Sequence, residues 1–507
     1  MQNRRFRNHI SIIIEQTGGV LLALLIIFIP QFLQNIGEIV EAGRELVSGR
    51  GLLINIGIIL ALLAVIGIQV LIWAKTYISI EENAVIIEKN TFNKRKNTIG
   101  IRNISNINTE QNLLEMLLGT CKVKLDTNSR STADSTDVKI VLKKADALWF
   151  QQEVTRMMQA FAAAEQADGE VKSEGSAVLN ADLTGEAEDF DIRSDFGDIL
   201  QHGLFSVNII SLLVLIISTS VIVGEIVQML EQPELMKSFL GAAAGIAVAV
   251  FIALSALWDM VKRFLRYYNF RAKRRDSKIY IRYGLFKKVE YTIPVDKIQA
   301  LRIRQSFVAR IGHRYMAEIV NVGMGDDQEE RNSFLVLYAA EKKLEERLSV
   351  LLPEFIEAAD CQVERQPASV WAAWMLPAFV YTLCVTGAAA ACGFAFGAEK
   401  YFLLIWGCAA GLEILLLVCM ILKYRTEGMK MDENFLKLTR GYLGKNYLAV
   451  KYENIQYVEI KQNPLARICG IGKGYLHLLA SSANAEQRIP YFRKNLEDKM
   501  KSRMIKR

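Results

Sequence analysis

Long apolar segments alternate with stretches of mixed polarity along this chain. Six of the apolar segments reach the ~20 residues that a helix needs to cross the hydrocarbon core of a membrane. They come in close pairs, and each pair predicts a helical hairpin. The segments cover residues 17–36, 51–74, 204–228, 239–258, 370–397 and 401–422.

The polar stretch after each pair alternates like a half-buried strand and contains a recurring motif. Its clearest copy, residues 295–312, reads V-D-K-I-Q-A-L-R-I-R-Q-S-F-V-A-R-I-G. Ile298, Leu301 and Ile303 form the apolar face, and Arg302 and Arg304 alternate outward, which predicts a strand. Ser306 is a favourable N-cap for a helix of one or two turns, and Gly312 is typical of the left-handed residue that ends a helix. The motif therefore predicts a strand, a short helix and a closing glycine.

The same motif occurs three times. In each copy an isoleucine is followed by a glutamine seven positions later, then by a cap-type residue and a closing glycine. An arginine five positions after the glutamine, Arg310 or Arg467, is replaced by Met116 in the first copy. Such agreement at polar positions predicts three homologous domains. The shared positions are Ile104, Gln111, Asn112 and Gly119 in the first copy, Ile298, Gln305, Ser306 and Gly312 in the second, and Ile455, Gln462, Asn463 and Gly470 in the third.

A change of composition separates the first domain from the second. Residues 165–198 hold eleven acidic side chains against Lys172 and Arg193, and small residues fill most of the rest. Such a segment buries too little apolar surface to order itself, so we expect a flexible linker. The predicted organisation is an N-terminal basic segment with the first hairpin (1–75), a first domain (76–164), the acidic linker (165–200), a second hairpin (201–262), a second domain (263–356), a third hairpin (368–423) and a third domain (424–507).

The distribution of Lys and Arg predicts the orientation in the membrane. The N-terminus and the residues that lead into each domain are rich in both, whereas the connections inside the hairpins are poor in them. By the positive-inside rule, the N-terminus, the three domains and the C-terminus lie in the cytoplasm of a multi-pass cell-membrane protein. A hydrophobic content of 51% agrees with this class. The basic residues inside the connections are Arg44, Arg50, Lys237 and Lys400.

Candidate chemistry is sparse. The four histidines are widely separated, and the sequence contains no metal-binding spacing, nucleophile elbow or phosphate-binding loop. The seven cysteines show no paired spacing, so neither disulfides nor a zinc site are expected. Gln111, Gln305 and Gln462 are interpreted as strand-end amides that satisfy local backbone groups. We therefore expect no enzymatic activity, metal, cofactor or nucleic-acid partner.

One basic run, after the fourth apolar segment, is a candidate site for lipid or a protein partner. Aromatic residues are interleaved with its charges. A juxtamembrane cluster of this kind attracts anionic lipid headgroups by ~1 kcal/mol for each Lys or Arg near the surface. The alternative is that the run only fixes the topology, and the sequence leaves both interpretations open. Its residues are Lys262, Arg263, Arg266, Arg271, Lys273, Arg274 and Arg275.

Glu413 lies well inside the sixth apolar segment. An ionisable side chain at that depth costs ~2.5–3.5 kcal/mol on insertion scales, so we expect it to face a partner or a cavity. It is the candidate intramembrane ionisable group, and its role is either structural or functional.

The repeated motif, placed after a pair of membrane helices and a β-hairpin, resembles the membrane-anchored bacterial pleckstrin-homology-like (PH-like) domain of the bPH2 type. The three-copy layout resembles the YdbT type within that family, and the likeness covers nearly the whole chain except the acidic linker. It implies an α+β fold in which two roughly orthogonal antiparallel sheets form a sandwich or barrel that a C-terminal helix closes. Some members are associated with resistance to membrane-active bacteriocins, which makes envelope protection a lead.

Two functions remain open. The first is a non-enzymatic membrane scaffold whose PH-like domains bind one another, another membrane protein or inner-leaflet lipid. The second is a transporter or export component in which Glu413 is linked to a proton or a substrate. Against the second, the sequence shows a single well-buried carboxylate and lacks paired helix-breaking residues, since Pro30 and Pro377 are isolated. The scaffold is therefore favoured.

Overall fold

The computed structural model divides the chain into two compact units. The first contains Met1–Thr132, Thr136–Glu186 and Phe286–Tyr291, and the second contains the remainder from Ala187 onward together with Ala133–Ser135. The structure describes residues 5–13, 66–81, 83–91, 94–127, 138–167, 190–206, 209–231, 239–322, 333–395, 398–480 and 482–505.

The first unit contains two antiparallel sheets and a long helix. Its described elements are β1 (Arg5–Phe6), β2 (Thr76–Glu81), β3 (Ala84–Asn90), β4 (Lys94–Gly100), β5 (Ile104–Gln111), α1 (Leu113–Leu117), β6 (Thr120–Thr127), β7 (Val138–Lys143) and α2 (Lys144–Ala167). Strands β1 to β4 form one sheet in that order, and β5, β6 and β7 are neighbours in the other. The apolar face of β2 is buried through Ile78 and Ile80, and α2 packs Phe150 and Val154 into the same core.

The second copy follows the same order of elements. They are β8 (Ile192–Arg193), α3 (Phe196–Phe205), α4 (Ile209–Glu231), α5 (Phe239–Arg266), β9 (Arg271–Arg275), β10 (Lys278–Tyr283), β11 (Lys288–Pro294), β12 (Ile298–Gln305), α6 (Phe307–Ile311), β13 (Arg314–Asn321), β14 (Ser333–Ala340) and α7 (Glu341–Leu351). Strands β12, β13 and β14 pair in sequence, and α7 closes the domain by packing on β13 and β14.

The third copy repeats the plan. Its elements are β15 (Glu364–Arg365), α8 (Val370–Ala395), α9 (Ala398–Thr426), β16 (Gly428–Met431), β17 (Phe435–Arg440), β18 (Lys445–Lys451), β19 (Ile455–Lys461), α10 (Pro464–Ile468), β20 (Ile471–Leu478), α11 (Ser482–Ala485), β21 (Glu486–Arg493) and α12 (Asn495–Ile505). Leu436, Leu476 and Ile489 lie in its core, and Met500 of α12 packs against them. Each copy is thus an α+β domain of two sheets and a closing helix.

Each domain begins before its hairpin. A strand of two residues precedes each predicted hairpin and pairs antiparallel with the first strand after it, β1 with β2, β8 with β9 and β15 with β16. Each predicted hairpin therefore lies, in chain order, between the first two strands of a sheet. The predicted order, a hairpin followed by a complete domain, is corrected in this respect, since Arg5–Phe6 of the N-terminal basic segment belongs to the first sheet.

The acidic linker ends earlier than the composition predicts. Residues 168–189 of that segment lie outside the described residues. The chain then forms β8 and α3, because its acidic side chains have basic partners in the second domain. Asp191 lies 3.1 Å from the Arg275 guanidinium, and Asp198 lies 2.6 Å from that of Arg347. Composition alone counts these carboxylates as solvated, whereas the fold pairs them.

Two helices of the described residues are long and apolar enough to cross a membrane. They are Val370–Phe394, within α8, and Phe402–Thr426, within α9. Helices α4 and α5 cover the third and fourth predicted segments, with a shorter apolar stretch at Leu213–Gly224. Most of the first predicted pair lies outside the described residues. The structure therefore supports two of the six predicted spans.

Neighbouring copies are joined through their motif strands. Strand β12 pairs antiparallel with β18 of the third copy, with Gln305 opposite Lys445, so that one sheet runs β14-β13-β12-β18-β17-β16-β15. Within the first unit, which includes Phe286–Tyr291, β5 pairs with the start of β11, and Gln111 lies opposite Lys288. Each lysine lies 17 positions before the glutamine of its own copy, so the two junctions use equivalent strands in one register.

Candidate functional site

The motif folds as a strand that ends at or next to the glutamine and a helix of about one turn that follows it. In the second copy the Ser306 hydroxyl accepts a hydrogen bond from the Ala309 N–H at 3.1 Å. In the third copy the Asn463 side-chain oxygen accepts from the Ala466 N–H at 2.7 Å. These are N-cap bonds, which satisfy backbone donors that a helix start leaves open.

The three glutamines act locally. Gln111 Nε2 donates to the Thr120 carbonyl oxygen at 2.7 Å, and Gln462 Nε2 donates to that of Ile471 at 2.8 Å. Each acceptor is the first residue of the strand after the short helix. Gln305 is buried in the second copy and hydrogen-bonds a tyrosine hydroxyl of β13 instead. The glutamine side chains thus tie the end of one strand to the start of the next.

The left-handed residue after each short helix lies eight positions beyond the glutamine. Gly119 and Gly470 have φ of 65°, and His313 has φ of 49° at the equivalent position. The prediction that Gly312 adopts this conformation is wrong, because its φ is −83°. Glycine is needed there for a different reason, since a Cβ atom would lie 2.5 Å from Cε1 of the Phe205 ring.

The cap residues also tie the motif to the start of the predicted hairpin in the second and third copies. The Ser306 hydroxyl donates to the carbonyl oxygen of Phe205, the last residue of α3. In the third copy the Asn463 side-chain amide donates to the Ala373 carbonyl oxygen, in the first turn of α8, at 2.9 Å. In both copies the short helix is therefore held beside a helix at the start of the predicted hairpin.

The last apolar side chain of each short helix is strongly exposed. Leu117, Ile311 and Ile468 lie six positions after their glutamines and are 81%, 68% and 82% exposed. Arg310 and Arg467 come immediately before two of them; Arg310 donates to a backbone carbonyl of the third copy at 3.1 Å, and Arg467 is exposed. A large apolar residue is therefore exposed at the same position in all three copies, which makes this position a candidate for contact with an apolar surface.

Aromatic and cationic side chains surround the start of α8 and the end of α9. The Trp371 ring centroid lies 5.8 Å from that of Trp374 and 5.6 Å from that of Tyr424. Lys423 lies 5.4 Å from the Trp374 ring. Trp and Tyr concentrate at membrane–water interfaces, where Lys also extends its charge into water. Ala466 of the short helix α10 packs in this cluster, so α10 lies beside these aromatic residues.

The structure divides the basic run between a helix end and a strand. Arg274 pairs with Glu354 at 2.6 Å, and Arg275 pairs with Asp191 at 3.1 Å. Part of the run therefore holds the second domain together, in addition to any role toward lipid. Lys262, Arg263 and Arg266 lie near the end of α5, and Arg271, Lys273, Arg274 and Arg275 lie in β9.

Glu413 faces the other helix of its own hairpin. The Thr382 hydroxyl, in α8, donates to Glu413 Oε2 at 3.0 Å. Its other oxygen, Oε1, is buried and accepts no hydrogen bond from the described residues. The carboxyl group thus has one partner inside the hairpin, which offsets part of its cost at that depth.

A buried ion pair lies beneath the motif strand of the first copy. Glu110, next to the motif glutamine, is 4% exposed and lies 2.6 Å from Lys124 Nζ. Lys287, which belongs to the same unit, also contacts this carboxylate. Burial alone would raise the pKa of Glu110, but the two lysines lower it to about 2. The carboxylate is therefore charged at neutral pH.

The second copy carries an equivalent pair with the charges reversed. Arg304 and Glu318 occupy the same two positions, 14 residues apart, and Arg304 Nη1 donates to the fully buried Glu318 carboxylate at 3.0 Å. Arg302 lies 3.8 Å from the other Glu318 oxygen and donates to Asn484 of the third copy at 2.8 Å. The cluster therefore links the second copy to the third.

His202 is a buried residue that sequence reasoning did not single out. It lies in α3, and the backbone N–H of Tyr338 donates to its Nδ1 at 3.3 Å. Its ring centroid lies 4.6 Å from that of Tyr267 and 6.2 Å from that of Phe334. Burial, reinforced by Arg263, lowers the pKa of His202 to about 3, so the ring is neutral. A lone histidine carries no spacing that could have revealed this.

Within the described ranges, no three His, Cys, Asp or Glu side chains come together as metal ligands would. The seven cysteines are free thiols. Burial raises the pKa values of the Cys121 and Cys361 thiols to about 12, so both are protonated at neutral pH.

Comparison with known proteins agrees with the threefold repeat. The family model described as the bacterial PH domain matches residues 19–158, 212–349 and 374–505. The chain is 22% identical over 428 residues to the UPF0699 transmembrane protein YdbT of Bacillus subtilis, an alignment that covers 82% of this chain and 80% of that protein. No solved structure matches the chain.

Proposed function

The chain belongs to the bacterial PH domain family, because that domain occurs in it three times, and from this premise we propose that the protein is a non-enzymatic integral membrane scaffold. The hairpins fix the protein in the cell membrane, the short helices rest on the inner leaflet, and the joined sheets present surfaces to protein partners. The observation that carries the proposal is the exposed apolar residue of each motif, Leu117, Ile311 or Ile468.

The three exposed side chains gain free energy when the apolar part of the bilayer covers them. Full burial of a Leu or Ile side chain is favourable by about 1.5–3 kcal/mol. Because Ser306 and Asn463 hold two of the short helices beside membrane-directed segments, no separate binding event is needed to bring them to the bilayer. The exposed Arg467 suits the anionic headgroups that lie above the acyl chains.

Fluorescence in liposomes tests this contact. Ile311→Cys is labelled with an environment-sensitive fluorophore, in a background where the seven native cysteines are replaced and cooperative melting is retained. Labels at position 311 should emit at shorter wavelength than in water and be quenched by brominated lipid, because the side chain enters the interface. Val350, 44% exposed on α7, provides the matched control position, where we expect neither effect. Water-like, unquenched emission at position 311 would remove the support for lipid contact.

The proposal includes all six spans and a cytoplasmic location for the three domains. Pairing of β8 with β9 and of β15 with β16 supports it, because the two ends of a hairpin inserted between paired strands lie on one side of the membrane. Reporter proteins fused after Lys75, Arg275 and Arg425 should all report cytoplasm. A single external reading among the three contradicts the arrangement.

The competing transporter function makes Glu413 essential. Glu413→Gln keeps an acceptor for Thr382, so a scaffold tolerates it, whereas a proton-linked transporter does not. Arg271→Gln combined with Lys273→Gln tests lipid attraction while leaving the pairs of Arg274 and Arg275 in place. The cellular measurement we propose is survival under membrane-active peptides, with protein level and topology checked. Loss of the phenotype in Glu413→Gln alone would favour the transporter.

A further inference from the structure

The two internal junctions show what covers a motif strand. At each, the edge of the motif strand pairs antiparallel with a strand that begins at a lysine 17 positions before the next glutamine. Gln111 lies opposite Lys288 in one junction, and Gln305 lies opposite Lys445 in the other. The chain therefore uses one interface twice.

The third motif strand lacks this cover among the described residues. Strand β19 is at the end of the sheet β19-β20-β21 and pairs with β20 alone. Most of its residues are exposed or half-exposed, and Tyr457 is 57% exposed. An end strand offers a row of backbone N–H and C=O groups to a further strand. Its sequence, Ile455–Lys461, contains neither Pro nor Gly and is rich in strand-forming residues.

The first copy contains the complementary strand, also at a sheet end. Strand β4 begins at Lys94, 17 positions before Gln111, which is the position of the covering strand in the later copies. In the part of the chain that the structure describes, it pairs with β3 alone and ends the sheet β1-β2-β3-β4. Its first five residues are exposed. Among the described residues, each chain thus has one motif strand without a covering strand, β19, and one covering-type strand that pairs with no motif strand, β4.

We propose that β19 of one chain pairs antiparallel with β4 of a second copy of the same chain, in the register of the internal junctions. Gln462 then lies opposite Lys94, Glu459 opposite Asn97, and Val458 opposite Thr98. The contact is head-to-tail, because it joins two different surfaces, so repetition gives a closed ring or an open chain of protomers in the membrane. The inference rests on the proposed function only in placing both domains on one side of the membrane.

A second copy is the occupant that the molecule itself identifies. The partner of β19 must supply a strand of the β4, β11 or β18 kind, and β11 and β18 are already paired with motif strands within the chain. Strand β4 is the equivalent that remains, and every chain in the membrane brings one. The two internal junctions therefore indicate both the partner strand of β19, which is β4 of a second chain, and the register in which the two strands pair.

One cross-strand pair sets the strength of the contact. The proposed register places Lys461 opposite Arg95, whereas neither internal junction has like charges at this place. Like charges directly opposite each other destabilise a strand pair. The contact between chains should therefore be weaker than the internal junctions and should strengthen as salt screens the repulsion.

Disulfide cross-linking between two differently tagged chains tests the register. One full-length chain carries Glu459→Cys and the other Asn97→Cys, and a second pair of chains carries Val458→Cys and Thr98→Cys. Two adjacent pairs are used because the Cα–Cα distance between opposite residues alternates between longer and shorter values along an antiparallel pair. A disulfide forms only across a short distance. Oxidation in native membranes should cross-link at least one pair between tags. Glu459→Cys with Lys94→Cys is the register-shifted control, and each single variant controls for the native cysteines.

Charge reversal provides the second measurement. Lys461→Glu should strengthen association, measured as protomers per particle in detergent, by about three- to tenfold because it turns repulsion into attraction. Adding Arg95→Glu should reverse the gain. The proposal is overturned by equal cross-linking in the shifted control, by single protomers in all variants, or by cross-linking of the β19 cysteine to a different protein alone. The reporter fusions measure topology independently, so failure of this contact leaves the proposed function standing.

Discussion

Gly312 is the position where backbone conformation and side-chain crowding predict opposite effects of substitution. Its φ of −83° suits any residue, so Gly312→Ala would by itself stabilise the protein by about 0.4–1 kcal/mol, through restriction of the unfolded chain. The new Cβ atom would, however, lie 2.5 and 2.8 Å from two atoms of the Phe205 ring, well inside the usual carbon–carbon separation. Either the ring or the short helix must move.

The surroundings of Phe205 set the magnitude. Its ring packs against a cluster of Ala309, Met316 and Tyr338, and its carbonyl oxygen accepts the Ser306 hydroxyl. Overpacking at such a site costs about 1–3 kcal/mol. After subtraction of the conformational gain, Gly312→Ala should destabilise the second domain by about 0.5–2 kcal/mol.

Thermal melting of the detergent-solubilised protein, with hydrogen exchange to localise the change, measures this cost in a double-mutant cycle. In the Phe205→Ala background, Gly312→Ala should be neutral or stabilising, because the ring that it meets is gone. Gly470→Ala is the matched control, since it has no atom within 4 Å but a φ of 65°, and should cost about 1 kcal/mol in both backgrounds. Equal destabilisation by Gly312→Ala in both backgrounds would refute the crowding argument.

The remaining predictions concern three buried or strained side chains. His202 has a pKa of about 3 in the folded protein and about 6.5 in the unfolded chain, so the free energy of unfolding should fall by about 1.4 kcal/mol per pH unit as pH falls from 6.5 toward 3. His202→Gln should therefore make the melting temperature less dependent on pH in this range. Glu110, with a folded pKa of about 2, contributes stability that is present above about 4.5 and lost as pH falls toward 2, so Glu110→Gln should reduce hydrogen-exchange protection of β5 and β6 at pH 7. His313→Gly should raise the melting temperature, since glycine tolerates a φ of 49° without strain; a lower melting temperature would contradict this.

The strands and short helices of the motif could be predicted from the local pattern of apolar and polar residues. The alternation of apolar and polar residues up to Gln305 and the cap at Ser306 determine β12 and α6, because strands and caps depend on neighbouring residues. The insertion of each hairpin between two paired strands could not be predicted, because a strand of two residues such as Ile192–Arg193 has no period to detect. The order of strands across a junction depends on pairs far apart in sequence, which no local pattern records.

The displacement of Gly312 shows a signal that the sequence contained. The closing glycine lies eight positions after the glutamine in the first and third copies but seven in the second. If the left-handed position is constant, the residue that occupies it in the second copy is His313, as the structure shows. Gly312 then needs a separate explanation, and the Phe205 ring, 107 residues away in sequence, supplies one that only the fold brings into contact.

Two facing positions, one on the motif strand and one 14 residues later on the next strand, carry different residues in the three copies. Two copies place an acid and a base there with opposite order, and both carboxylates are buried, so either order of charges is accepted where the buried carboxylate has a basic partner. In the third copy the equivalents are Lys461 and Tyr475, with the cation 4.8 Å from the ring centroid and the lysine 53% exposed. The lysine is tolerated there because it is half exposed to water and the Glu459 carboxylate lies 3.2 Å from its ammonium group. Deep burial of β19 by a second chain would desolvate Lys461, so the contact between chains must be shallower than the internal junctions and reversible.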